Sequence, residues 1–344
     1  MRGYTNRRLF LKSATLASLG MGLSLSPLAA LAQDSKPRRG KRIGIIGLDT
    51  SHSIAFTKTF NAPDAGPEYG GYKVVAAYPH GSKDIEESVA RIPGYTEEIQ
   101  KYGVKIVNSI KRLLSDVDVV LLETNDGRLH LDQALQVIKA KKTLFIDKPM
   151  TASLSDAIAI FEAAEKANVP VFSSSSLRFM ANVQEVMQGK YGKVYGADTY
   201  SPATLERTHP DLYWYGIHGV ETLFSVMGKG CKSVTRYYTE GVDVVVGVWA
   251  DNRIGTFRGI RAGKTDFGGN CFAEKGIVSL GPFAGYNPML VEIAKFFDTG
   301  KPPVSPDETL EILAFMDAAD ESKKREGAPV TLEEMFEKAG ASKS

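Results

Sequence analysis

The chain has 344 residues, 43% hydrophobic and 24% charged, a composition of soluble globular domains, about two of them, and not of a fibrous, low-complexity or disordered chain. The formal charge of +2 gives no basic signature for nucleic acid. Two cysteines, Cys231 and Cys271, are too few for a disulfide framework or a cysteine-built metal centre and are expected as buried free thiols.

Residues 1–32 read as a targeting segment. Arg7-Arg8-Leu9-Phe10-Leu11-Lys12 resembles the twin-arginine export motif, an apolar stretch follows from Ala14, and Ala30-Leu31-Ala32 fits a small-residue cleavage site. The apolar stretch is short and rich in Gly and Ser, so no membrane span is expected in the mature form. Losing Arg2, Arg7, Arg8 and Lys12, with no acid, takes the charge from +2 to −2. The expected location is the periplasm or another exported site, with the twin-arginine machinery as partner. That route carries folded proteins, which favours a tightly held cofactor. Residues 33–41 are polar and read as a linker.

From Arg42 the pattern alternates between strands and helices. Strands are expected at 42–46, 72–77, 104–107, 117–123, 143–146 and 169–173. Leu131, Ala134, Leu135 and Ile138 repeat at helical spacing, and Ser153 with Asp156 makes a helix cap. Such alternation predicts a doubly wound parallel sheet, here over 42–175. Its first turn is Gly47-Leu48-Asp49-Thr50-Ser51-His52. Strand, tight turn and capped helix are how a dinucleotide site opens, with the pyrophosphate on the helix N-terminus. The full fingerprint is G-x-G-x-x-G, and here Asp49 and His52 replace its second and third glycines. No acid follows the second strand to bind a ribose. Ser82 and Lys83 stand beyond it, either holding a 2′-phosphate or lying in a solvated loop.

Residues 176–344 change character. A helix near 182–188 is followed by closely spaced strands at 194–200, 233–238, 242–249, 254–259 and 276–280. These predict an α+β domain with a large open, mainly antiparallel sheet. Two helices close the chain, the second opened by the capping box Ser305-Pro306-Asp307-Glu308.

Several segments together resemble the glucose–fructose oxidoreductase / inositol dehydrogenase / rhizopine-catabolism family of sugar dehydrogenases. Glu123-Thr124-Asn125, followed by His130, resembles the family's T-P-N-x-x-H segment. Phe145-Ile146-Asp147-Lys148-Pro149 resembles its E-K-P motif, with Asp147 for Glu. Ser176-Leu177-Arg178-Phe179 is similar to the R-F segment that opens the second domain, and Gly216-Ile217-His218 with Glu221 to the G-x-H-x-x-D stretch. The resemblance implies a Rossmann domain, NAD or NADP, a sugar or polyol substrate, and a homo-oligomer formed through the carboxy-terminal sheet. The family's catalytic aspartate, four residues before the histidine, is Trp214 here, which marks a divergent branch.

On this reading Lys148, at the end of a buried strand, stabilises developing alkoxide charge, and His218 exchanges the hydroxyl proton. The cofactor set is Gly47, Leu48, Asp49, Thr50, Ser51, His52, Thr124, Asn125, His130, Lys148 and Arg178. His209, Asp211, Trp214, Tyr215 and Glu221 are the substrate-side candidates, with Asp211, Glu221 or Tyr215 orienting His218. Tyr213, Trp214 and Tyr215 serve as a sugar platform or as core, and His52 lines the cofactor or simply starts its helix. His209, Asp211, His218 and Glu221 match no metal-ligand spacing, so no metal is expected. The leading expectation is an exported NAD(P)-dependent oxidoreductase. A glycoside-processing enzyme with recycled NAD and a cofactor-less binding protein are the alternatives.

Overall fold

The computed structural model describes residues 41–340. The export segment and nearly all of the linker lie outside the described residues. Six strands form the first sheet: β1 (Arg42–Ile46), β2 (Lys73–Tyr78), β3 (Lys105–Ile106), β4 (Val119–Leu122), β5 (Thr143–Asp147) and β6 (Val171–Ser174). They lie in the order β3-β2-β1-β4-β5-β6, all parallel. This is the doubly wound order whose switch point lies between β1 and β4.

Helices α1 (Ser51–Asn61), α2 (Glu86–Gln100), α3 (Ile110–Asp116), α4 (His130–Lys139) and α5 (Leu154–Ala167) connect these strands. Runs such as Val119-Val120-Leu121-Leu122 are apolar throughout because both faces of the sheet are covered. Val120, Leu122, Leu144 and Ile146 pack toward α4 and α5, while Ile43, Ile45, Leu121 and Phe145 pack toward α1.

The second part runs α6 (Ala181–Met187), β7 (Val194–Pro202), α7 (Ile217–Met227), β8 (Cys231–Tyr238), β9 (Val242–Trp249), β10 (Ile254–Ile260), β11 (Gly268–Ala273) and β12 (Gly276–Leu280). It ends with α8 (Asn287–Thr299), α9 (Pro306–Lys324), β13 (Val330–Thr331) and α10 (Leu332–Lys338). The seven strands order as β12-β11-β7-β10-β9-β8-β13. All pairs are antiparallel except β7 with β10, so the sheet is mixed but mostly antiparallel, as expected. Helices α7 and α9 cover one face.

One element crosses the expected division of the chain. Met289, Leu290, Ile293 and Phe297 of α8 pack in the same core as β1 and α1, and Phe296 meets Phe172 of β6 edge to face at 4.6 Å. Helix α8 thus completes the cover of the first sheet. Cys231 and Cys271 are both free and buried. Among the described residues no helix is long and apolar enough to cross a membrane.

Beneath the second sheet, the buried Arg236 of β8 bonds Asp243 at 2.9 Å, Asp211 at 2.8 Å and Asp320. Breaking such a network leaves acids buried without a counter-charge, which costs about 3–5 kcal/mol. Arg236→Met is therefore expected to lower unfolding stability by about that amount, read as a fall in urea midpoint at unchanged slope.

Candidate functional site

The site lies where β1, β4 and β5 end. Gly47 turns the chain at φ +92°, and a Cβ there would meet the Thr124 backbone nitrogen at 2.5 Å, so only glycine fits. Thr50 caps α1, its Oγ1 accepting from the His52 amide.

Asp49 is 0% exposed. Its two oxygens accept backbone N–H groups of Ser82 (3.1 Å) and Asn125 (3.0 Å), tying together the loops after β2 and β4. Burial pushes its pKa up, and the two amide bonds oppose that rise. The loops close so tightly that a Cβ on Gly81 would lie 2.0 Å from Asp49 Oδ2. Ser82 Oγ lies 2.9 Å from Asp126, to which it donates, and 3.1 Å from Asp84, and it accepts from the Ile85 amide, so it is committed here rather than open to a 2′-phosphate.

His52 extends from the first turn of α1 to Asp147 at the end of β5, with Nδ1 2.6 Å from Oδ2. Phe56 stacks on its ring at 5.4 Å and Tyr286 meets it edge-on at 4.8 Å. Glu123, just past the end of β4, is also 0% exposed, and neither of its oxygens has a hydrogen-bond partner. Burial and the neighbouring Asp147 hold its pKa well above the ordinary range, against the pull of Lys148. Burial also acts to raise Asp147, but His52 and Lys148 outweigh it, leaving a lowered pKa.

Lys148 follows at once. Burial lowers its pKa, with Asp147 and Glu123 opposing. Its Nζ lies 5.4 Å from the centre of the Tyr215 ring, and that ring sits 5.6 Å from His218, so Tyr215 joins lysine and histidine. Ring contacts run in a chain from His52 through Tyr286, Phe283, Phe267 and His218 to Tyr215. Burial drives the His218 pKa well below its ordinary value, and Lys148 adds to that.

His218 is not oriented by any of the three residues expected. Its Nδ1 lies 2.8 Å from Ser175 Oγ. Glu221 accepts instead from Ser174 Oγ, from the Ser175 amide at 2.7 Å and from Arg178 Nε at 2.8 Å. It acts on His218 only by holding Ser175. Arg178, expected at the cofactor, is buried, with Nε on Glu221 and Nη2 on Glu308 between α7 and α9, while Nη1 has no partner. His130 spans two backbone carbonyls, those of Thr124 (2.6 Å) and Met150 (2.9 Å), and braces the loops rather than facing a ligand.

The substrate-side group is dispersed. His209 Nε2 accepts from the Gly127 amide, and its ring packs on the buried Trp214 at 5.1 Å. Asp211 pairs with Arg236 and Lys323 under the second sheet. The buried Tyr213 hydroxyl bonds Asp317 at 2.7 Å. Of the three adjacent aromatics, only Tyr215 reaches the site. Conversely, Glu123 and Asp147 were visible only as motif letters, and Ser175 stands in the plain run Ser173-Ser174-Ser175-Ser176. Phe267, Phe283 and Tyr286 carried no motif at all. An acid closing a fully apolar strand was the one available signal for Glu123.

The crevice fits a dinucleotide. The first turn of α1 carries no acid, and Thr124 Oγ1 is buried without a partner. Asp49 directs its charge onto amides. The Gly47–Ser51 turn, Asn125 and Lys148 are the residues that would hold the group.

Comparison with known proteins agrees. Residues 41–175 match the model of the oxidoreductase family with an NAD-binding Rossmann fold. The uncharacterized oxidoreductase YhhX of Escherichia coli K12 is 23% identical over 141 residues, covering 37% of this chain and 40% of that protein. The chain's match thus spans about two fifths of that relative's length. Three solved structures share the fold across most of both chains. A probable dehydrogenase from Thermotoga maritima superposes with a TM-score of 0.69 at 21% identity, covering 86% of this chain and 99% of that one. Apo scyllo-inositol dehydrogenase from Lactobacillus casei gives 0.68 at 14%, with coverage of 86% and 99%. Myo-inositol dehydrogenase from the same organism, in complex with NAD(H) and myo-inositol, gives 0.65 at 15%, with coverage of 84% and 96%.

Replacing Asp49 by Asn puts an amide donor against one of two backbone N–H groups. The expected cost is about 1–3 kcal/mol of stability, measured by chemical denaturation, with the loops after β2 and β4 losing amide-exchange protection first.

Proposed function

Because residues 41–175 match the model of the oxidoreductase family with an NAD-binding Rossmann fold, we propose that the protein is a Gfo/Idh/MocA-type, exported NAD(P)-dependent oxidoreductase of a sugar, polyol or related alcohol. The observation that carries this reading is that Lys148, from the first sheet, and His218, from α7, both approach the Tyr215 ring. When bound, the nicotinamide supplies the hydride acceptor or donor. The chain's own residues handle charge and proton.

Lys148 Nζ, poorly solvated, stabilises the oxygen that gains negative charge as the carbinol is oxidised. His218 donates Nδ1–H to Ser175 Oγ, which leaves the Nε2 lone pair to take the hydroxyl proton. Its depressed pKa keeps it neutral and ready to accept. The Glu221–Ser175 contact fixes the ring without a carboxylate touching it, in place of the aspartate that is Trp214 here. The chain of rings offers aromatic faces to a polyol.

The open face of the second sheet supports a homo-oligomer. Ile277, Phe272, Ile254 and Val248 stand in register across neighbouring strands, linked through Gly196, and Ile277 is 70% exposed. Apolar rows of this kind mark association surfaces. The Arg7-Arg8 motif supports export by the twin-arginine route.

Mutation tests the mechanism. His218→Asn is expected to lower kcat by roughly 10²–10⁴-fold, and Lys148→Met by roughly 10²–10³-fold, with both proteins folded. Nicotinamide fluorescence with a panel of inositols and sugars provides the assay. Turnover at the wild-type rate in both variants defeats the proposal.

The pH profile follows from the shifts. His218 is depressed, so kcat/KM should stay flat on the acid side until well below the ordinary histidine range. Lys148 is also depressed, so activity should fall on the alkaline side before an ordinary lysine would titrate. An acid limb at the unperturbed histidine value would contradict the burial of His218.

A further inference from the structure

The mechanism leaves His52, Glu123 and Asp147 without a task. Glu123 and Asp147 come from the ends of the neighbouring parallel strands β4 and β5, His52 from the first turn of α1 that follows β1, and one ligand atom from each lies within 4.8 Å of the others. Leu122 and Ile146 are register partners, so Glu123 and Asp147 leave the sheet at the same height. All three are buried at this point. Glu123 aims two oxygens inward with no partner, and Asp147 Oδ1 has none either. A buried carboxylate is retained in this state only where something neutralises it. Lys148 is one cation for two acids.

From this geometry we propose that His52 Nδ1, Glu123 and Asp147 form a binding site for one divalent transition-metal cation. One imidazole nitrogen and two carboxylate oxygens suit zinc, manganese or iron, and are too few oxygens for calcium. Ligands about 2.0–2.2 Å from a metal stand roughly 3–4.4 Å apart, so the cluster has the right size. The His52–Asp147 contact opens from 2.6 Å as the metal replaces the shared hydrogen, and a pair at the 4.8 Å limit draws in by a few tenths of an ångström. Phe56 and Tyr286 hold the imidazole plane, as the surroundings of metal-binding histidines commonly do. Three protein ligands leave further positions open beside Lys148, where a substrate oxygen or water would bind. The site does not depend on nucleotide binding.

The test uses the full mature chain, stripped with chelator and titrated calorimetrically with zinc and with manganese. One saturable equivalent per chain is expected. Glu123→Gln and Asp147→Asn, both near-isosteric, should each weaken it by at least roughly 100-fold while melting cooperatively. Cobalt loaded into the unmutated chain should show the visible bands of nitrogen and oxygen ligation, a readout that needs no variant. No saturable binding, or equal affinity in both variants, overturns the site and leaves Glu123 as a protonated acid. A parallel NAD(H) titration of the stripped chain reports on the oxidoreductase reading separately.

Discussion

Everything at the crevice depends on how closely the first turn approaches the end of β4. Gly47 leaves no room for a side chain against the Thr124 backbone. That contact brings the β1 turn and the β4 loop together, and Asp49 then locks both to the loop after β2 through two amide hydrogen bonds. In the glycine fingerprint, small residues create space at this point. Here an acid fills the space between loops and supplies the rigidity. The substitution at the second glycine position therefore strengthens the frame on its inner side and leaves the helix N-terminus free of acidic side chains.

The charged groups around that frame follow one electrostatic logic. Burial destabilises each charged form, and the groups survive by facing one another. Lys148 feels the acids Glu123 and Asp147, and His218 feels Lys148. A lysine lowered by burial but supported by two acids remains a cation with few hydrogen bonds of its own, the condition in which it acts most strongly on an incoming oxygen.

The fold was largely legible in the sequence because its signals are local. The apolar runs at β1, β4 and β5, the caps at Thr50, Ser153 and Ser305 and the dense strands after Val194 all carry their own pattern. Strand β11, Gly-Gly-Asn-Cys-Phe-Ala, did not, since its residues have weak strand preference and its pairing with β7 and β12 makes it a strand. Lys148 and His218 were legible through motif resemblance. Their orientation was not, because Ser175, held by Glu221, meets His218 only once α7 packs beside the end of β6. Asp211, close to His218 in sequence, faces Arg236 for the same reason: chain proximity sets no direction across a turn.

Helix α8 carries a consequence for evolution and engineering. The chain returns, after the whole second sheet, to lay Met289, Leu290, Ile293 and Phe296 over β1, β6 and α1. A nucleotide-type half excised at residue 175 would lose this lid and bare Ile45, Phe56 and Phe172 to water. The amino-terminal half is thus no transplantable cassette. Chimeras with related chains should exchange α8 together with the first sheet, and drift in either partner constrains the other across more than a hundred intervening residues.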